Sequence, residues 1–260
     1  MPEPTGWRLD DAAAEYFEGH FVPAIFAKWA PILVDAGGVA QGQRVLDVAC
    51  GTGIVARVAA DRLAGVGEVT GLDLNPSMIK VARRLQPDVN WHEGDATDMP
   101  LPDASFDAVL CQAGLMFFPD PVTALREMRR VLRSGGQLAV QVWGRSEGYD
   151  STAELLEETS GKEIADIFRA PFSMAQPDLL PELLAKAGFD SPQSETYEKP
   201  ARFPSIEDFL RTEIDGWVLK GLVDVDALTP GARERLKPYA DTDGTVAIPM
   251  AGHVVTCAKR

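Results

Sequence analysis

The distribution of apolar and polar residues along the chain predicts strands that alternate with helices. The first apolar run, Arg44–Val48, is continuous, which is typical of a strand covered on both faces of a sheet. Seven strands are predicted: Arg44–Val48, Glu68–Asp73, Val89–Glu93, Phe106–Gln112, Gln137–Trp143, Glu195–Phe203 and Thr245–Lys259. Because helices separate most of the early strands, we expect an α/β fold with a mostly parallel seven-stranded sheet, right-handed crossovers and helices on both faces.

The helices between these strands are predicted from 3.6-residue periodicity and from their end signals. Glycines after the first strand begin a helix that runs through about Leu63, and Gly135 and Gly136 are expected to end a later one. The other predicted helices are Ser77–Leu85, Pro121–Leu132 and Asp178–Lys186.

Three segments lie outside this regular alternation. Residues 1–40 are predicted to form an N-terminal helical cap, broken by Pro23 and Pro31, in front of a main domain at residues 41–260. Residues 144–175 and 204–244 are predicted insertions on the substrate side of that domain. The second is helical and stands before the last strand, where it is too long for a hairpin turn.

The composition is that of an ordinary globular protein, with 45% hydrophobic and 25% charged residues in 260. A formal net charge of -14 repels phosphate backbones and anionic lipid surfaces, so we expect neither a nucleic acid nor a membrane as partner. The arginines between Arg126 and Arg133 are interpreted as a solvated helix face. The expected partner is a small-molecule substrate.

The three cysteines, Cys50, Cys111 and Cys257, have no spacing typical of a zinc or redox motif, so no metal site is predicted. We expect them to be buried free thiols. The first residues contain Glu3, Asp10 and Asp11 and no long apolar run, which fits neither a secretory signal nor a membrane anchor. These observations predict a cytoplasmic protein.

The most informative motif is the glycine turn that follows the first strand. Gly51 and Gly53 let a ligand approach the backbone, and the helix that starts there presents unpaired N–H groups. Gly51, Gly53 and Ala56 match the dinucleotide-binding pattern, and Asp73 lies about twenty residues further on, where a ribose-binding acid is expected. The motif alone does not separate a nicotinamide-dependent enzyme from a methyltransferase.

Two further acids favour a different ligand from a dinucleotide. Asp47 lies four residues before Gly51, where its carboxylate suits a ligand's ammonium group and repels a pyrophosphate. Asp95 follows the third strand, where a carboxylate can accept a hydrogen bond from an adenine amine.

With these motifs in order, the chain resembles the class I S-adenosylmethionine-dependent methyltransferases, in the branch that includes the ubiquinone and menaquinone biosynthesis enzymes. The similarity is dense from about Val39 to Trp143 and looser beyond. It depends on five segments: Leu46-Asp47-x-x-Cys50-Gly51-Thr52-Gly53, Gly71-Leu72-Asp73-Leu74-Asn75, Gly94-Asp95-Ala96, Phe106-Asp107 and Phe118-Pro119-Asp120. It implies a Rossmann-like fold and S-adenosylmethionine as cofactor, with S-adenosylhomocysteine as product.

The resemblance also implies a role for individual residues. Gly51 and Gly53 match the turn under the methionine moiety, Asp73 the acid that binds the ribose hydroxyls, and Asp95 with Ala96 the pair that recognises adenine. The remaining matches are Leu74 and Met78 beside the adenine ring, Gln112 near the sulfonium, and, more loosely, Tyr16 and Phe17 in a cap that closes over the cofactor.

Methyl transfer needs mainly alignment of the acceptor with the S–CH3 bond and exclusion of water. Where the acceptor must lose a proton, a base is required, and His20 in the cap is the candidate, whereas His92 and His253 are interpreted as structural.

Substrate choice is expected to depend on residues outside the motif core. Trp143, Glu147 and Tyr149 follow the fifth strand, at the edge where ligands bind. An apolar lid is predicted from Phe209, Trp217, Leu219 and Leu222, which would suit a partly apolar metabolite; ordinary packing or a homodimer contact are alternatives for these residues.

The leading hypothesis is therefore a methyltransferase that acts on oxygen, nitrogen or carbon of a small molecule. The alternatives are a cofactor-binding protein that does not methylate, a nicotinamide-dependent oxidoreductase, and an enzyme that methylates RNA or protein, of which RNA is disfavoured by the acidity of the chain.

Overall fold

The computed structural model describes residues 9–216 and 218–260. One sheet runs through this part of the chain. Its strands are β1 (Arg44–Val48), β2 (Glu68–Asp73), β3 (Asn90–Glu93), β4 (Phe106–Gln112), β5 (Leu132–Trp143), β6 (Gln193–Phe203) and β7 (Val246–Ala258). The order in the sheet is β3-β2-β1-β4-β5-β7-β6. All neighbouring pairs are parallel except β5 with β7 and β7 with β6, which confirms the predicted mostly parallel sheet.

Helices cover both faces of the sheet, as predicted. They are α1 (Asp11–Tyr16), α2 (Val22–Ala24), α3 (Ala30–Ala36), α4 (Ile54–Leu63), α5 (Pro76–Leu85), α6 (Pro121–Val131), α7 (Glu147–Ser160), α8 (Lys162–Arg169), α9 (Leu179–Lys186), α10 (Ile206–Leu210) and α11 (Val225–Leu236). Buried residues of α3, α4 and α5 pack on one face, and those of α6, α7 and α9 pack on the other. Among the described residues, no helix is both long and apolar enough to cross a membrane.

The predicted boundary between α6 and β5 is wrong. The helix ends at Val131, and Leu132 already pairs with Phe106 of β4. The glycine pair lies inside β5 instead of ending the helix, at a shift in the β4–β5 register. Gly135 has a positive φ of 79°, a conformation that glycine adopts readily. It therefore accommodates an irregularity within β5, just as it could have accommodated the end of a helix.

The predicted cap is helical but more interrupted than its periodicity suggested. A π-helical turn at Phe17–Phe21 follows α1, and a 3-10 turn at Phe26–Lys28 precedes α3. The insertion before β7 contains a second π-helical turn, at Arg211–Asp215 directly after α10. Residues 1–8 of the predicted cap lie outside the described residues, and so does Trp217 of the predicted lid.

The two π-helical turns meet each other. Gly216, at the end of the second, lies so close to the cap that an added Cβ would be 2.6 Å from the Tyr16 ring and 2.8 Å from the Phe21 ring. Glycine is required here by the space that the two aromatic rings occupy. The cap and the insertion are therefore in direct contact.

Candidate functional site

The turn between β1 and α4 is built around two glycines in the left-handed region. Gly51 has φ 54° and Gly53 has φ 89°, conformations that cost little only for glycine. At Gly53 an added Cβ would lie 2.4 Å from the indole of Trp91. The same indole lies under Gly71 of β2, and its Nε1–H donates to the Gln86 carbonyl at 2.8 Å. The indole of Trp91 therefore packs against the turn and supports it. No role for Trp91 was predicted from the sequence.

Asp47 is a buried carboxylate with one unused oxygen. Its side chain is 1% exposed; Oδ2 accepts a hydrogen bond from the Ala56 N–H of α4 at 3.0 Å, while Oδ1 has no hydrogen-bond partner. Burial raises the pKa of this carboxyl to about 8, against the opposing effect of the Ala56 N–H, and the nearby Asp73 raises it further. A buried unpartnered oxygen of this kind is costly unless a ligand pairs with it.

Asp73, at the end of β2, ties the glycine turn to the next strand. Its Oδ2 accepts from the Gly51 N–H at 2.8 Å, and its Oδ1 accepts from the Asn75 N–H at 2.8 Å. Burial raises the pKa of Asp73, and these two backbone donors oppose the rise. Asn75 also caps α5 by accepting from the Ser77 N–H at 2.9 Å.

Asp95 follows β3 and shapes the turn after it. Its Oδ1 accepts from both the backbone N–H and the hydroxyl of Thr97, each at 2.7 Å. The residue is exposed, whereas its neighbour Ala96 is buried. Asp95 thus performs the local turn-capping that its position after a strand favours, and it also faces the cavity described next.

A single cavity at the carboxyl ends of β1, β2, β3 and β4 brings most of the predicted binding residues together. Those that line it are Asp47, Gly51, Asp73, Leu74, Met78, Asp95, Ala96 and Gln112. Parallel strands end on the same side of a sheet, which explains why residues far apart in sequence converge here. Gln112 donates from Nε2 to the Phe26 carbonyl of the cap at 3.3 Å.

Three predicted site residues do not line this cavity. Gly53 lies behind it, against Trp91. Tyr16 stacks on the His20 imidazole with ring centroids 3.8 Å apart, and it packs against Gly216. His20 is exposed, with Nδ1 3.0 Å from the Tyr16 carbonyl oxygen. Neither Tyr16 nor His20 is among the residues that line the cavity.

Phe17 is one of the cap residues that line the cavity. It lines the cavity together with Leu9 and Phe26, and its ring lies 3.8 Å from the position of a Cβ on Gly51. The cap is attached to the main domain by polar contacts, since the Leu9 carbonyl accepts from Asn75 Nδ2 at 3.0 Å.

Ion pairs also attach the cap. Arg57 of α4 donates to Glu18 of the cap at 2.8 Å and to the Thr52 carbonyl of the glycine turn at 2.8 Å. Arg57 thereby connects the cap to the glycine turn on the other side of the cavity. Two further ion pairs join α1 to α5: Asp11 with Lys80, and Glu15 with Arg84. Both of these pairs are exposed.

A second cavity, of about 1390 Å³, adjoins the first and shares Phe117 and Pro119 with it. Tyr149 of α7, expected near the substrate, lines this second cavity. Its hydroxyl donates to Glu213 at 2.6 Å. Glu213 was not predicted, because it is 64 residues away in the chain and only the fold brings the two together.

The other residues expected near the substrate have mainly structural positions. Trp143 is buried against Trp29, with ring centroids 5.4 Å apart. In the predicted lid, Phe209 and Leu219 are buried, whereas Leu222 is 57% exposed. Packing within the chain is therefore the observed environment of Phe209 and Leu219.

The comparisons with known proteins find a methyltransferase domain in part of the chain. Residues 46–140 match a family model described as a methyltransferase domain. Over 141 residues the chain is 42% identical to the demethylmenaquinone methyltransferase of Renibacterium salmoninarum, an alignment that covers 54% of this chain and 58% of that protein. The chain thus spans little more than half the length of this curated relative.

Solved structures share the fold. One is phosphoethanolamine N-methyltransferase 2 of Haemonchus contortus in complex with S-adenosyl-L-methionine, with a TM-score of 0.63, 21% identity, and coverage of 96% of this chain and 57% of that one. Another is the [4+2]-cyclase SpnF, with a TM-score of 0.54, 19% identity, and coverage of 90% and 81%. Residues 46–140 therefore match a methyltransferase domain, and most of the chain shares its fold with these two solved structures.

Proposed function

We propose that this protein is an S-adenosylmethionine-dependent methyltransferase whose acceptor is a small molecule. The observation that carries the proposal is the unpartnered Oδ1 of Asp47, a buried carboxylate oxygen that lines the same cavity as Asp73 and Asp95. An ammonium group beside this oxygen would pair with it and favour the carboxylate form of Asp47, whereas a pyrophosphate would bring only negative charge and could not stabilise that carboxylate. The site fits a zwitterionic amino acid moiety joined to an adenosine.

Each residue of the cavity has a binding role in this proposal. Asp47 accepts from the ammonium group of the cofactor, Asp73 from the ribose hydroxyls, and Asp95 from the adenine amine. When bound, S-adenosylmethionine supplies a sulfonium that makes its methyl carbon electrophilic. Phe17 excludes water from above, and the Gly51 backbone allows close approach from below.

The small-molecule class is supported by the second cavity and by the charge of the chain. The cavity that shares Phe117 and Pro119 with the cofactor site gives an acceptor a place beside it. The net charge of -14 disfavours a nucleic acid acceptor. Three buried free cysteines are consistent with the reducing cytoplasm as location.

A homodimer remains a prediction. The boundaries of the two insertions, at residues 144–175 and 204–244, also remain predictions.

The cofactor is tested by calorimetry with S-adenosylhomocysteine and with NADH. We expect the first to bind and the second not to bind. Asp47→Asn keeps the shape of the side chain but removes its charge, so it should weaken S-adenosylhomocysteine binding by about 1.5 to 3 kcal/mol. Asp98→Asn, at an exposed acid in the turn after β3 that does not line the cavity, is the control and should bind as the wild type does. Binding of NADH alone would contradict the proposal.

A second candidate function is binding of the cofactor without methyl transfer. The observation that favours it is the shared fold with the [4+2]-cyclase SpnF, an enzyme named for a reaction other than methylation. Incubation of the protein with a metabolite extract and a methyl-labelled donor separates the two functions. Label in a small molecule supports the methyltransferase, whereas bound cofactor with no labelled product supports the alternative.

A further inference from the structure

A short connecting segment, residues 170–176, forms part of the wall of the second cavity. It runs from the end of α8 toward α9 and begins with a 3-10 turn at Ala170–Phe172. The residues of the segment that line the cavity are Ala170, Phe172, Ser173, Ala175 and Gln176. Its backbone hydrogen bonds are local, such as the one that the Ala175 N–H donates to the Phe172 carbonyl at 3.1 Å. The position of this wall therefore depends on how the segment is attached to the rest of the fold.

His253 attaches this segment to the sheet. The residue lies on β7 and is 5% exposed, and its Nε2 is 3.1 Å from the Ala175 carbonyl oxygen. Among the described residues, this is the one hydrogen bond that joins residues 170–176 to a strand. The two partners are 78 residues apart in the chain, so only the fold brings them together. One imidazole thus connects the cavity wall to the sheet.

The edge strand β6 orients the imidazole from its other side. Nδ1 of His253 lies 2.9 Å from Oγ1 of Thr196, the residue directly opposite in the β6–β7 pairing. A carbonyl oxygen can only accept, so Nε2 carries the hydrogen, and in the neutral ring Nδ1 then accepts from the Thr196 hydroxyl. Gly144 leaves space for the ring, because an added Cβ there would lie 3.0 Å from Nε2. The sheet therefore directs the Nε2–H toward Ala175.

We propose that His253 is a positioning residue for the methyl acceptor, because its bond to the Ala175 carbonyl fixes the wall formed by residues 170–176. This inference depends on the proposed function, in which the second cavity takes the acceptor. His253 lines neither cavity, so it acts through Ala175. Without the bond the wall is ordered for only part of the time, and the apparent affinity for the acceptor falls by that fraction. The segment supplies no residue to the cofactor cavity, so cofactor binding does not depend on it.

Two substitutions at His253 separate its two hydrogen bonds. The amide nitrogen of glutamine reaches about as far as Nε2, so His253→Gln can still donate to Ala175. Asparagine is shorter and reaches only to the position of Nδ1, so His253→Asn keeps the contact with Thr196 and loses the one with Ala175. His92→Asn is the matched control, because His92 is a strand histidine that is exposed on β3, at the other edge of the sheet and outside both cavities.

Hydrogen exchange followed by mass spectrometry measures the order of the wall directly. We expect His253→Asn to speed exchange of the amides in residues 170–176 about tenfold, whereas His253→Gln and His92→Asn should exchange there as the wild type does. Thr196→Val removes the donor to Nδ1 with little change in shape and should speed the same amides about threefold, which provides a test if His253→Asn does not fold. Unchanged exchange in both folded variants, His253→Asn and Thr196→Val, or in the only one that folds, would overturn the proposal.

A dilution series of a metabolite extract with methyl-labelled S-adenosylmethionine separates acceptor binding from turnover. We expect His253→Asn to need about tenfold more extract for half-maximal labelling, with the same maximal labelling and the same affinity for S-adenosylhomocysteine in calorimetry as the wild type. His253→Gln should restore the wild-type midpoint. A lower maximum at an unchanged midpoint, or weaker binding of S-adenosylhomocysteine, would show a general structural role and overturn the proposal.

The same assay keeps this inference separate from the proposed function. If the wild-type protein labels a small molecule and His253→Asn has the wild-type midpoint, the inference about His253 fails and the proposed function stands. If the wild-type protein labels no small molecule, the proposed function fails, and the acceptor role of His253 fails with it, whatever hydrogen exchange shows.

Discussion

Binding of S-adenosylhomocysteine at pH 7 is expected to release a proton from Asp47. The pKa of this buried carboxyl is about 8 without a ligand, so the group is about nine-tenths protonated at pH 7. An ammonium group beside Oδ1 favours the carboxylate and lowers the pKa toward its usual range near 3.8. About 0.9 proton should leave on binding at pH 7, and about 0.1 at pH 9.

The release is measured by titration calorimetry in two buffers with different ionisation enthalpies. The difference between the apparent binding enthalpies gives the number of protons exchanged. Asp73 also has a raised pKa, so Asp47→Asn is needed to separate the two carboxyls. The variant should release fewer protons on binding than the wild type does. The difference between the two is the contribution of Asp47. No buffer dependence at pH 7 in the wild type, or the same release in the variant, would refute this reasoning.

The same pKa also predicts how stability without ligand depends on pH. Because the folded pKa lies above 3.8, the unfolded chain loses its proton first as pH rises. The free energy of unfolding should therefore fall between about pH 4 and pH 8, by at most on the order of 5 kcal/mol. Asp47→Asn should lack this part of the decline, which denaturant unfolding at several pH values would measure. An identical decline in the variant would show that Asp47 is not its source.

The other predictions concern the floor and the cover of the cofactor cavity. Asp73→Ala should weaken S-adenosylhomocysteine binding by about 1 to 3 kcal/mol in calorimetry, because ribose hydrogen bonds are lost; unchanged affinity in a folded variant would remove the ribose assignment. Gly53→Ala should lower the free energy of unfolding by more than about 2 kcal/mol, because the new Cβ meets an indole at 2.4 Å. Gly65→Ala, with φ 78° and nothing within 4 Å, should cost only about 1 kcal/mol, and equal losses would show that the indole is not the cause. Glu18→Gln should speed dissociation of S-adenosylhomocysteine about threefold in stopped-flow measurements, because the ion pair of Glu18 with Arg57 holds the cap to the glycine turn. Glu15→Gln, which removes an exposed ion pair, should have a smaller effect. A larger effect of Glu15→Gln would contradict this role of Glu18.

The strands and their order of appearance were predictable because each early strand is a compact apolar run between turn signals. β1, with four of its five residues buried, is the clearest case. The start of β5 was not predictable, because a glycine pair after an amphipathic helix has the pattern of a helix end. Pairing between Leu132 and Phe106, which overrides that local signal, depends on the sheet.

The cavity was predictable to the extent that it is built from strand ends. Asp47, Asp73 and Asp95 lie near, at or just beyond the end of a parallel strand, so sequence alone places them at one edge of the sheet. Trp91 and Glu213 were not predictable, since the first acts by occupying space beneath two glycines and the second by reaching a phenol 64 residues away. Neither relation leaves a local pattern in the sequence.

The contact of Gly216 with Tyr16 and Phe21 joins the insertion to the cap at a single backbone position. Because the two rings occupy the space beside this glycine, a methyl group added there would have to displace them. A substitution in the insertion at this position would therefore shift the cap, which supplies Phe17 to the lining of the cofactor cavity.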